Sequence, residues 1–166
     1  MTDRIYVTYT PTTAPESYHT TIHYERTDPA GNVVKHVVIE AQPEKLEQLS
    51  ASDKAIGVVE EAFRKGDGLS RFGKIAPDVQ VKASDDSNAP YETIAEGDDL
   101  SPNLARMQLF AHGVNQAGFA YRGDHQNSNS FASAVLQAGE NFLRRWAWLM
   151  IQLGLPVNYW ISLLPA

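Results

Sequence analysis

A chain of 166 residues with 43% hydrophobic content fits one globular domain with an ordinary core, β-rich over 1–41 and helix-rich over 44–66 and 101–155. The formal net charge of -6 argues against nucleic acid as the main partner, because binding phosphates requires a basic surface. Cysteine is absent, which excludes a disulfide framework, a thiolate metal site and a Cys nucleophile, and leaves Ser, Thr or a carboxylate for nucleophilic chemistry.

"MTDRIYVTYT" lacks the basic and apolar regions of a secretory signal, so a cytoplasmic location is the default expectation, with signal-independent export as the alternative. Within it, Arg4–Thr10 is rich in β-branched and aromatic residues and predicts a first strand ending at Pro11. Tyr18–Thr27 and Asn32–Ala41 flank the turn signal "DPAG" and predict a β-hairpin. Beyond Pro43 the period changes. Ala55, Ile56, Val59, Ala62 and Phe63 recur at helical spacing, with Asp53 as a cap and Gly66 as a stop.

A further strand is expected around Val79–Ala83, followed by the polar loop "DDSNAP". Ser101 as N-cap, Pro102 at the first helical position and Gly118 as a stop delimit a helix whose inner face carries Leu104, Met107, Phe110, Ala111 and Val114. After the extended piece "FAYR", a helix is expected from Ser130 to Gly139 and another over Phe142–Leu153. The apolar stretch Trp146–Leu155 is too short to span a bilayer, which takes roughly 20 residues, so no membrane span is expected. Its Trp-rich surroundings suit a protein partner instead. Strands followed by helices predict an α+β domain with a mostly antiparallel N-terminal sheet.

The stretch "HQNSNSF" places four polar residues, Asn127 to Ser130, before an apolar-periodic run. One cap satisfies a helix start, so two readings stand: Ser128 and Asn129 cap a helix, or Ser128 is a hydroxyl presented at its positive end. A Ser nucleophile needs a base and oxyanion donors, and Asn127, Asn129 and Ser130 are the candidate donors or substrate-binding groups. The hairpin supplies imidazoles. With "DPAG" as a four-residue loop, Thr27 faces Asn32, His23 faces His36 and His19 faces Glu40, all on one sheet face.

His19 is then the candidate base, oriented by Glu40 or His36, and His23 is the second choice. The bland alternative makes them ordinary strand residues. His125 reads as loop decoration and His112 as a core-edge helix residue. The acidic runs "DDSN" and "EGDD" do not match a calcium loop, no zinc spacing occurs, and "KGDGLSRFG" lacks the P-loop pattern, so no metal and no cofactor are expected.

"HTTIHY", "GNVVKHVVIEA" and "QNSNSFASAVLQAG" together resemble the permuted papain-like proteins: the NlpC-type superfamily with its lecithin:retinol acyltransferase-like and PPPDE-like branches. The "NSNSF" patch is also similar to bacterial domains found in toxin-like or secreted settings. The resemblance covers Tyr18–Ala41 and Gln126–Leu136, and Ser128 stands where those families carry Cys. It implies a papain-like fold, Ser128 as nucleophile, His19 as base, and His36 or Glu40 as the polar third member. It further implies an amide or ester hydrolase or acyl transferase acting on peptide or peptidoglycan. A hydroxyl is a weaker nucleophile than a thiolate, so the same resemblance also accommodates a silent domain that binds a protein or a ligand.

Overall fold

The computed structural model describes residues 1–11, 18–45, 72–82, 89–122 and 126–140. Five strands, β1 (Thr2–Pro11), β2 (Tyr18–Thr27), β3 (Val33–Pro43), β4 (Ile75–Lys82) and β5 (Tyr91–Gly97), make one antiparallel sheet in the order β4-β3-β2-β1-β5. Helices α1 (Ser101–Ala117) and α2 (Ser128–Gly139) follow, which makes the described part α+β. The helices expected near 53–66 and over 142–153, the Trp-rich segment and His125 lie outside the described residues.

Period-2 alternation sorts the side chains of the central strands onto two faces. One face carries Ile5 and Val7 of β1, Ile22 and Tyr24 of β2, and Val37, Ile39 and Ala41 of β3. These pack against Leu104, Met107, Ala111 and Val114 of α1 and Phe131, Ala132 and Val135 of α2, so both helices cover this face. Tyr6, Thr8, Thr21, His23, Glu25 and His36 alternate with them and occupy the opposite face, where they too are buried.

The hairpin register differs from the expected one. Asp28 accepts from the backbone N–H groups of Ala30 and Asn32, Gly31 takes a positive φ of 87°, and Asp28 N–H donates to Asn32 O. The turn therefore closes around one residue fewer than a four-residue loop, as in a type I turn followed by a left-handed glycine. A bulge between Arg26 and Thr27 adds a second single-residue shift. His23 consequently faces Val38, and Glu25 faces His36. Because two shifts restore the alternation, every residue stays on its expected face.

Other boundaries also move. β4 begins at Ile75 rather than near Val79, and β5 occupies a stretch with no expected strand. Leu100, not Ser101, is the N-cap of α1, and Asp99 accepts from the Ser101 N–H. Buried Asp3 links this helix start to the sheet by accepting from Leu100 N–H at 2.8 Å, Tyr24 Oη at 2.7 Å and Arg26 Nε at 2.6 Å. Gly118 ends the helix as expected, at φ 65° with its N–H on Val114 O.

Candidate active site

α2 begins two residues earlier than its sequence suggests. Asn127 is the N-cap: its side chain accepts from the N–H groups of Asn129 and Ser130, while Ser130 Oγ accepts from Asn127 N–H at 2.8 Å. This reciprocal capping box satisfies donors at both ends and outcompetes a cap at Asn129 or Ser130. Ser128 is therefore the first helical residue rather than a loop residue in front of the helix. It is 8% exposed.

The helix start meets the sheet where β2 and β3 part. Their ladder ends at Ile22 and Ile39; beyond it β2 runs from Thr21 to Tyr18 beside β1, and β3 from Glu40 to Pro43 beside β4. Two strand groups at this end find a partner in α2. Thr20 N–H donates to Asn129 Oδ1 at 3.0 Å, and Asn129 Nδ2 donates to Tyr18 O at 2.7 Å. One amide side chain thus makes the bonds a neighbouring strand would make, on both sides of His19.

The ring of His19 is held from β3. Its Nε2 lies 3.0 Å from Glu40 Oε2, and Thr21 Oγ1 donates to the same oxygen at 3.3 Å. The His19 hydrogen bond, opposed by partial burial, draws the Glu40 carboxyl below its ordinary value, with the Lys82 charge helping. An ionised Glu40 only accepts, so Nε2 carries the proton of a neutral imidazole and Nδ1 carries the lone pair. The pair is partly open, with side chains 27% and 31% exposed.

His23 and His36 form a separate cluster further along the same face. His23 Nδ1 is 3.0 Å from His36 Nε2, and the rings stack with centroids 5.3 Å apart. Tyr6 stacks on the other side of His23 at 4.6 Å. Thr8 Oγ1 lies 2.9 Å from His23 Nε2. His23 is 4% and His36 1% exposed, and His36 Nδ1 is buried without a hydrogen-bond partner. By the same alternation His19 and Glu40 share this face, opposite the helices; His23 and His36 differ in lying inside the continuous β2–β3 ladder, whereas His19 lies where the strands have parted, beside the start of α2. His23 as second-choice base and His36 as third member are therefore not assembled with the helix start. His36 orients His23, and Glu40 is the partner of His19.

Of the seven groups expected to act together, His19 and Glu40 are joined to each other, and Asn129 is joined to the peptide groups flanking His19. Asn127 and Ser130 are occupied by the cap, with Ser130 Oγ also donating to Asn127 O at 2.9 Å. Burial pushes the Tyr121 phenol up, and Ser128 beside it, through its hydroxyl and N–H, pulls it back down. Ser128 thus has a phenol as a neighbour.

Tyr121, Thr8 and Thr21 were not among the expected site residues. Thr8 and Thr21 follow from the β1–β2 register, which brings the two opposite each other beside His23. Tyr121 is delivered by a tight bridge, with Arg122 N–H donating to Gln126 O at 2.8 Å and Gln126 N–H to Arg122 O at 3.0 Å. That bridge folds the chain back so that residues before and after it become neighbours. His112 is exposed on α1 and paired with Gln116 at 2.9 Å, not at the core edge.

No family model, curated protein or solved structure matches the chain. Among the described residues no three His, Asp or Glu side chains assemble to hold a metal ion, and no helix is long and apolar enough to cross a membrane.

Proposed function

We propose that the chain is an amide or ester hydrolase, or an acyl transferase, on a papain-like frame, with Ser128 as nucleophile, His19 as general base and Glu40 as its orienter. The observation that carries this reading is the junction at His19: Asn129, next to Ser128, binds the peptide groups on both sides of it while Glu40 holds its ring. A nucleophile, a base and a third group in one small region are what acyl transfer requires.

In the reaction, Ser128 Oγ turns toward His19 and attacks the acyl carbon as Nδ1 takes the hydroxyl proton. The tetrahedral oxyanion collapses with cleavage of the bond to the leaving amine or alcohol, which receives that proton from His19. Water, or an acceptor alcohol or amine, then releases the acyl group from Ser128 by the same steps. Glu40 stays ionised throughout and stabilises the imidazolium. Peptide or peptidoglycan amides are the substrates that the resemblance favours.

A fluorophosphonate probe tests this directly. The wild-type chain is expected to be labelled, and both Ser128→Ala and His19→Ala to be silent. A second reading, a silent papain-like domain that binds a protein or ligand, is favoured by one observation: Ser128 is buried. Labelling that persists in Ser128→Ala, or a wild-type chain inert to a panel of acyl and phosphonyl probes, selects that second reading.

A further inference from the structure

Asn129 reads in sequence as an oxyanion donor, but both ends of its amide are engaged with β2: Oδ1 with Thr20 N–H at 3.0 Å and Nδ2 with Tyr18 O at 2.7 Å. The remaining side-chain candidates are also engaged, since Asn127 Oδ1 and Ser130 Oγ close the capping box. The first-turn amides of Asn129 and Ser130 point into that cap, and Phe131 N–H donates to Asn127 O at 3.0 Å. Ser128 N–H is the exception: it takes no part in the cap, and the Tyr121 phenol lies near it.

The position of β2 at this end depends on Asn129. Residues Tyr18 to Thr21 lie beyond the β2–β3 ladder and keep only β1 as a strand neighbour. An amide that donates to one peptide and accepts from the next substitutes for the missing strand and fixes the residue between them. That residue is His19. Rotation or retreat of this segment would change both the distance from His19 to Ser128 and the 3.0 Å contact between His19 and Glu40.

We infer that Asn129 is a positioning residue: its side chain sets the location of His19 relative to Ser128 and Glu40 and contributes no hydrogen bond to the reacting acyl group. The inference rests on the acyl-transfer reading of the same site. It also leaves Ser128 N–H as the first-turn amide that substrate can gain without opening the cap.

Asn129→Ala and Asn129→Asp separate positioning from transition-state contact. Asn129 is exposed, so neither variant removes core packing. Two readouts are taken on each: the fluorophosphonate labelling rate, and the pH titration of the His19 ring protons by NMR, assigned with His19→Ala. Positioning predicts that Asn129→Ala labels about 10- to 100-fold more slowly, the range expected when a catalytic group is displaced by a fraction of an ångström to an ångström. It also predicts a changed His19 titration, because the ring loses its fixed relation to Glu40. Asn129→Asp keeps the acceptor for Thr20 N–H and loses the donor to Tyr18 O, so it is expected to fall between wild type and Asn129→Ala on both readouts.

A slow Asn129→Ala with an unaltered His19 titration would overturn the inference in favour of a direct substrate contact, and an unaltered labelling rate would overturn it outright. If the wild-type chain takes no label, the enzymatic reading fails on its own. The titration still decides the clamp: a shift of His19 in Asn129→Ala supports it, and no shift overturns it.

Discussion

His19–Glu40 and His23–His36 are two polar pairs built by the same strands on the same sheet face, with the same 3.0 Å contact. One lies where β2 and β3 have parted, keeps about a third of its side-chain surface, and leaves an imidazole nitrogen directed away from its partner. The other lies within the continuous ladder, is sealed between Tyr6, Thr8 and its own partner, and carries a buried nitrogen with no acceptor. Pairing an imidazole with a polar partner therefore does not make a site. The first pair lies where the sheet opens and its side chains are partly exposed, whereas the second is part of the packing.

If that contrast is right, variants of the two pairs should separate stability from chemistry. His36→Ala is expected to show the largest stability effect. It empties a fully buried position and leaves His23 Nδ1 without its partner, which together cost about 3 kcal/mol. For a chain of this size that lowers Tm by roughly 6–12 °C. Thermal unfolding measures it, and the labelling rate of the folded protein should be unchanged. A His36→Ala protein that stays stable but loses labelling would reverse the roles assigned to the two pairs.

His19→Ala sharpens the comparison from the other side. The residue is partly exposed and its bond to Glu40 is a screened surface interaction, so its loss should change stability by no more than about 1 kcal/mol. Labelling should nevertheless fall to background. A large drop in Tm would mean that this pair, too, is structural.

The faces of the hairpin were legible because β-branched and apolar residues alternate strictly along β2 and β3, as in Ile22 and Tyr24 against His23 and Glu25. The register was not. It turns on a glycine at φ 87° and on one bulged residue, and neither changes the alternation that sequence displays. The same even shift explains why His19–Glu40 and His23–His36 met although neither pair is directly opposite: the contacts are diagonal, within reach of long side chains.

β5 escaped notice because it is an edge strand, mostly exposed, in which Glu92 and Glu96 interrupt any apolar pattern. In "QNSNS" every residue from Asn127 to Ser130 can cap, and only the reciprocity between Asn127 and Ser130 selects one. Choosing Asn127 moves Ser128 from the loop into the helix and toward Tyr121, a neighbour supplied by the Arg122–Gln126 bridge rather than by any local motif.

Glu40→Gln should have the smallest effect on stability, and its pH dependence is the useful part. The His19 hydrogen bond holds the folded Glu40 carboxyl below the ordinary 4.5. A depressed carboxylate stabilises the fold fully above its unfolded value, and that contribution disappears as pH falls through the lower folded value. Exposure limits it to under about 1 kcal/mol. Wild type should therefore lose a small increment of stability below about pH 4.5 that Glu40→Gln has already lost, so their Tm curves converge in acid and separate toward neutrality. The same substitution removes the negative charge that supports an imidazolium, so labelling should slow at neutral pH even though the protein remains folded. Parallel Tm curves with undiminished labelling would place Glu40 among the ordinary surface carboxylates, and His19 would then have to be oriented by Asn129 and the backbone alone.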